Sequence, residues 1–280
     1  MSSFAAFART IKLSHTLFAM PFALASGLLA ARTVEVAPDR WAWILGAMVT
    51  ARTSAMGFNR LADRHLDANN PRTAGREIPS GALSPRAAWT YTLLATAGFV
   101  VCAAALGRAT LWLSPVALAV LWGYSLTKRF TALCHLVLGI ALGLAPVATW
   151  IALTDGVTAT PVCMGLGVLT WVAGFDILYA TQDAAYDRSV GLHSIPARLG
   201  IGPALSVARA LHVATVACFA AVAWTFPLGP VYGVGVLLLA AILWAEHRMV
   251  RADDLSRLDQ AFFEMNGYVA LGYLATIALS

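Results

Sequence analysis

The chain has 280 residues, of which 59% are hydrophobic and only 12% charged, with a formal net charge of +5. A soluble domain carries roughly 25% charged residues, so this chain has too little charge to cover its apolar surface in water. The composition excludes a soluble domain and points to an all-α, polytopic membrane bundle. Its cations cluster between apolar segments, where membrane orientation explains them better than nucleic-acid binding.

Residues 1–13 read as a short interfacial helix with Arg9 and Lys12 toward water. The first expected span runs from His15 to Ala31. Its apolar run exceeds a signal-peptide core and more spans follow, so it is retained. The second runs from Trp41 to Asp63, and others are expected near 87–107, 109–126, 133–154, 161–182, 203–226, 228–246 and 260–279. The result is about nine helices forming one membrane-embedded domain over residues 1–280. Cys102, Cys134, Cys163 and Cys218 lie singly in or beside apolar segments, which favours small buried side chains over a disulfide or zinc framework.

Charge then orients the chain. Arg9, Lys12, Arg64, Arg72, Arg76, Arg86, Lys128, Arg129, Arg188, Arg198, Arg248, Arg251 and Arg257 are expected on one membrane side, against Arg32, Arg40 and Arg108 on the other. The positive-inside rule makes the crowded side cytoplasmic.

Two polar stretches interrupt the apolar pattern on that side. In the first, Asn59, Asp63 and Asp67 recur every fourth residue where the second span leaves the bilayer. At 3.6 residues per turn they share a helix face with about 40° of drift per step. Carboxylates one turn apart repel, and oxygen-bound divalent cations are the natural compensation. In the second, Asp183 and Asp187 repeat the spacing and Asp176 lies two turns earlier, as Arg52 lies seven residues before Asn59. An ionisable group inside a span is costly and marks function by default, although a buried Arg52–Asp176 ion pair is the structural alternative. Asp63 to Asp183 and Asp67 to Asp187 are each separated by 120 residues, a hint of related halves.

A Pro-, Gly- and Arg-rich loop follows each stretch, 70–81 and 191–200, and suits a cap over a charged helix mouth. Between the fourth and fifth spans, Tyr124 to Thr131 forms a short basic connection containing Lys128 and Arg129. Opposite two acidic stretches it reads as an anion site. Solvated helix ends would account for either acidic stretch alone, but not for two with matched spacing and aligned intramembrane charges. His15, His135 and His212 have no ligand spacing and read as structural, and Glu264 and Asn266 either reach the site or pack.

At these residues the chain resembles the UbiA superfamily of intramembrane prenyltransferases. That family carries NxxxDxxxD after its second helix and DxxxD after its sixth, matched by Asn59-Asp63-Asp67 and Asp183-Asp187, and a YSxxKR segment matched by Tyr124 to Arg129. The stretches NPRTAGREIPSG, GFDILYATQD and GLHSIPARLG are most similar to the 4-hydroxybenzoate branch, with the futalosine-route menaquinone enzymes beside it.

The resemblance implies transfer of a polyprenyl group from polyprenyl diphosphate to an aromatic acid in quinone biosynthesis, in the inner membrane. It implies Mg2+ on Asp63, Asp67, Asp183 and Asp187, and diphosphate and substrate contacts from Asn59, Arg72, Tyr124, Lys128 and Arg129. On this reading Arg52 meets the acceptor's carboxylate, while Asp176 or Tyr179 orients the acceptor or takes up its proton. The lipid bilayer is the other partner. A secondary transporter is the alternative from another class, but transporters interrupt helices near the midplane whereas these acidic groups crowd one mouth. CDP-alcohol phosphotransfer would want a different Asp/Gly pattern on one helix.

Overall fold

A computed structural model describes residues 3–11 and 18–280, and its regular elements are helical. Lys12, expected to face water, and His15, expected to be structural, lie outside the described residues. In chain order the helices are α1 (Ser3–Thr10), α2 (Met20–Ala30), α3 (Pro38–Ala62), α4 (Arg64–Asn69), α5 (Pro85–Leu106), α6 (Arg108–Thr127) and α7 (Cys134–Thr154). Then come α8 (Ala159–Ala180), α9 (Ala184–Ser189), α10 (Ile195–Leu199), α11 (Ile201–Thr225), α12 (Pro230–Met249), α13 (Leu258–Gln260) and α14 (Asn266–Leu279). A single 3-10 turn, Thr181–Asp183, joins α8 to α9, and a π-turn, Ala261–Met265, joins α13 to α14.

Local chemistry sets the helix starts. Proline is the first residue of α3, α5 and α12, where the missing N–H would be unpaired in any case. Ser84 caps α5 by accepting the Ala87 N–H. Among the described residues, seven helical segments are long and apolar enough to cross a membrane. The other two expected spans correspond to α2, which is only 11 residues long, and α3, whose 25 residues include Asp39, Arg40, Arg52 and Arg60. Large apolar side chains face outward, among them Trp112, Trp224 and Leu237, as lipid solvation requires.

The chain divides into two compact units, one of Met1–Thr16 with Ala37–Leu126, the other of Leu17–Val36 with Thr127–Ser280. In the first, α3 packs along α5, and α1 rests on both through Ala6 and Phe7. Polar ties fix the register of α3 against α5 and α6. The Ser54 hydroxyl lies 2.7 Å from that of Thr96 and accepts the Trp122 indole N–H at 2.9 Å. The α1 face expected to lie in the interface is thus buried on protein, while exposed Arg9 pairs with Glu77 at 3.7 Å.

The second unit is built around α8, whose Met164, Val168, Trp171 and Val172 are fully buried. Helices α7 and α11 flank it, and α2 and α14 pack against its neighbours. The α7–α8 crossing is closed by glycine, the membrane counterpart of ridge-in-groove packing. A methyl at Gly143 would stand 2.6 Å from the Gly165 carbonyl oxygen, and one at Gly139 would overlap that of Leu169. Gly143→Leu is therefore expected to destabilise the fold by about 1–3 kcal/mol, read as a lower midpoint in a thermal aggregation assay. Gly233→Ala, where added bulk meets open space, should leave that midpoint unchanged or raise it.

Candidate active site

The two acidic stretches share a backbone device. Asp63 interrupts the helix between α3 and α4 with φ −91° and ψ 3°, and Asp183 interrupts it before α9 with φ −98° and ψ 0°. This sparsely populated bridge conformation recurs at functional residues. A six-residue helix then follows in each unit, α4 and α9, at positions offset by the same 120 residues. The device turns each carboxylate pair across a helix break rather than along a continuous helix.

It also withdraws the carboxylates from solvent. Asp63, Asp67 and Asp187 are 4%, 6% and 7% exposed, and Asp183 is half-buried. After each short helix the chain folds back onto the carbonyl of the second Asp. The Thr73 hydroxyl donates to the Asp67 carbonyl at 3.0 Å, and the Leu192 N–H donates to that of Asp187 at 2.8 Å. The loops expected to cap the helix mouths are thus hydrogen-bonded to them.

In the first unit the Asn59 amide donates to Asp63 and to the Ser125 hydroxyl, each at 3.3 Å. Asp67 is gripped by Arg76, whose Nη1 lies 2.7 and 2.8 Å from the two carboxylate oxygens. Arg60 is buried beside them, donating its Nε–H to the Thr10 carbonyl at 3.3 Å, within the field of Asp63, Asp67 and Tyr124. Arg52 is half-buried two turns before Asn59 on α3, within reach of the fields of Tyr124 and Arg60. Arg72 is exposed, and its N–H closes a turn on the Asn70 side chain.

In the second unit Asp176 is hydrogen-bonded to His135, with Nδ1 2.6 Å from Oδ2. The other ring nitrogen of His135 accepts the Ile195 N–H at 3.2 Å. A nitrogen that accepts carries no proton, so His135 is the neutral Nδ1–H tautomer, donating to the Asp176 carboxylate. The α7–α8 glycine crossing creates this contact. Gly143 meets Gly165 and Gly139 meets Leu169, and beyond them His135, one turn before Gly139, meets Asp176, two turns past Leu169. Lys128 lies in the electrostatic field of Asp187, and its carbonyl accepts the His193 N–H at 2.7 Å. Tyr179 packs on Phe262 with ring centroids 4.1 Å apart. Arg129 is exposed.

Each unit thus gathers its own share of the expected residues. Arg52, Asn59, Asp63, Asp67 and Tyr124 belong to the first, and Lys128, Asp176, Tyr179, Asp183 and Asp187 to the second. Sequence reasoning missed Arg60, Arg76 and Ser125, and read His135 as structural. Arg60 alone left a signal, being a cation next to Asn59 inside a span. Among the described residues no three His, Cys, Asp or Glu side chains enclose an ion; the carboxylates come in pairs.

A sequence model of the UbiA prenyltransferase family matches residues 19–268. The chain is 30% identical over 242 residues to the 4-hydroxybenzoate octaprenyltransferase of Citrobacter koseri, covering 85% of this chain and 83% of that protein. The apo structure of a UbiA homolog from Aeropyrum pernix superposes with a TM-score of 0.87 at 34% identity, over 95% of this chain and 98% of that one. A UbiA homolog from Archaeoglobus fulgidus, solved with GPP and Mg2+, shares the fold at 19% identity with a TM-score of 0.75, over 98% of this chain and 99% of that one. Likeness over this much of the chain admits one conclusion, that the protein belongs to the UbiA prenyltransferase family.

Proposed function

We propose that this membrane enzyme transfers a polyprenyl group from polyprenyl diphosphate to a ring carbon of an aromatic acid of the 4-hydroxybenzoate type, releasing diphosphate for quinone biosynthesis. The observation that carries the reading is the repeated helix break, which sets an acidic pair, buried or half-buried, in each unit at matched positions. The 30% identity to a 4-hydroxybenzoate octaprenyltransferase supports the acceptor class.

The donor set suits a hard cation. Carboxylate pairs with a neighbouring amide leave coordination positions for phosphate oxygens and water, which Mg2+ prefers to an all-protein cage. Asp63, Asp67, Asp183 and Asp187 are the residues that would hold the metal. Bound Mg2+ supplies Lewis-acid neutralisation of the departing diphosphate.

The chain's own residues do the rest. Lys128, with Arg72 and Arg129, binds diphosphate oxygens and lowers the cost of breaking the allylic C–O bond. Asn59 and Tyr124 orient that headgroup. Arg52 receives the acceptor's carboxylate, and Tyr179 packs against its ring. The electron-rich ring carbon bonds to the allylic carbon, and its proton passes to the Asp176 carboxylate, which His135 holds in place. Apolar helices exclude water from the cation and leave the isoprenoid tail in lipid. The excess of cations in these loops supports a site that faces the cytoplasm from the inner membrane.

The test incubates membranes carrying the full chain with prenyl diphosphates of several lengths and either 4-hydroxybenzoate or a futalosine-type aromatic acid. Prenylated 4-hydroxybenzoate and stoichiometric diphosphate are expected, and removal of Mg2+ by EDTA should abolish both. Product from the futalosine-type acid alone would move the chain to the menaquinone branch, and solute uptake without diphosphate release would favour a transporter.

A further inference from the structure

The second unit holds a buried polar cluster that the reaction above does not use. Glu246 of α12 and Asn266 of α14 are both 0% exposed, and His212 of α11 is 2% exposed. The Asn266 amide donates to Glu246 Oε1 at 3.3 Å and to the Phe262 carbonyl at 2.9 Å. Glu246 Oε2 and Asn266 Oδ1 are buried without a hydrogen-bond partner, although an unpaired buried polar atom is expensive.

Both orphaned atoms are acceptors, so what the pair lacks is a donor. The groups around it do not supply one. His212 Nε2 lies 3.2 Å from the Trp171 carbonyl oxygen and must carry its proton there. In neutral His212, Nδ1 is then an acceptor, filled by His247 Nε2–H at 3.0 Å, and it stands 3.5 Å from Glu246 Oε2. Arg209 acts electrostatically on His247. An ionised Glu246 would be a buried charge facing lone pairs, the costliest arrangement available. A proton on Oε2 supplies the missing donor and closes an acid–amide ring with Asn266.

The position of that ring gives it a task. Asn266 starts α14 directly after the π-turn Ala261–Met265, and π-turns inside helices mark functional sites. Its second hydrogen bond holds the Phe262 carbonyl. The Phe262 ring packs on Tyr179 at 4.1 Å and on Phe175 at 5.4 Å. We infer that Glu246 is a neutral carboxylic acid paired with Asn266, and that this pair is a positioning device that sets Phe262, and through it Tyr179, against the aromatic acceptor. The second half of this inference rests on the proposed acceptor site; the first does not.

The test uses the full chain in lipid nanodiscs. Infrared difference spectra at neutral pH should show the carbonyl stretch of a protonated carboxylic acid in the native protein and lose it in Glu246→Gln. Identical spectra would mean that Glu246 is ionised and would overturn the pair. In kinetics, Glu246→Ala and Asn266→Leu should raise KM for the aromatic acceptor about tenfold, the scale of a modest loss of positioning, with KM for prenyl diphosphate unchanged. Glu246→Gln, which replaces the acid's O–H with an N–H donor, should rescue the acceptor KM. Lower thermal stability with both KM values intact would leave a packing role and overturn the positioning. Should the native protein not prenylate any aromatic acid, the proposed function fails while the spectra still decide the acid.

Discussion

Asp63→Asn is expected to lower kcat/KM for prenyl transfer by about a thousandfold, roughly 4 kcal/mol of transition-state stabilisation. The substitution is nearly isosteric. The new amide still offers an oxygen to the Asn59 N–H that now donates to Asp63 at 3.3 Å, and the helix break at this position needs no carboxylate. What disappears is a negative charge that is 4% exposed and therefore unscreened. If the charge holds metal-bound diphosphate, the loss is large and partly recovered at high Mg2+, while the protein still inserts and runs as a single species on size exclusion. Activity within tenfold of the native enzyme at limiting Mg2+ would remove Asp63 from the metal set.

Most helix positions were legible because the spans other than α2 and α3 are long apolar runs and helix ends are set by local chemistry. Pro38, Pro85 and Pro230 open helices within three residues of the starts expected at Trp41, 87 and 228. The acidic pairs and their 120-residue offset were legible too, but the helix breaks were not. Nothing in Leu61-Ala62-Asp63-Arg64 or Thr181-Gln182-Asp183-Ala184 is a helix breaker, and a spacing of four equally suits an unbroken helix. Arg76 on Asp67 and His135 on Asp176 are contacts at 9 and 41 residues' separation. The first depends on the path of a loop and the second on a glycine crossing between α7 and α8, neither of which hydropathy records. His135 therefore read as an isolated imidazole in an apolar segment. Its proposed role rests on the partners of both ring nitrogens.

That role gives the second large effect. His135→Ala is expected to cut kcat about a hundredfold, a little under 3 kcal/mol, with KM for prenyl diphosphate nearly unchanged. The imidazole is 2% exposed and joins the Asp176 carboxylate to the Ile195 N–H at the start of α10. Alanine leaves that N–H unpaired, a cost of about 1–3 kcal/mol, and frees Asp176 to rotate from the acceptor. Asp183 lies at the helix break and Asp187 beyond it, with its own backbone bond from Leu192, so diphosphate binding should survive. A double-mutant cycle separates this from general loosening. If His135 acts only through Asp176, then His135→Ala with Asp176→Asn should be no slower than Asp176→Asn alone, because the second change removes a support that no longer holds anything. Additive losses would mean that the two residues serve the reaction separately and that the proton has another destination.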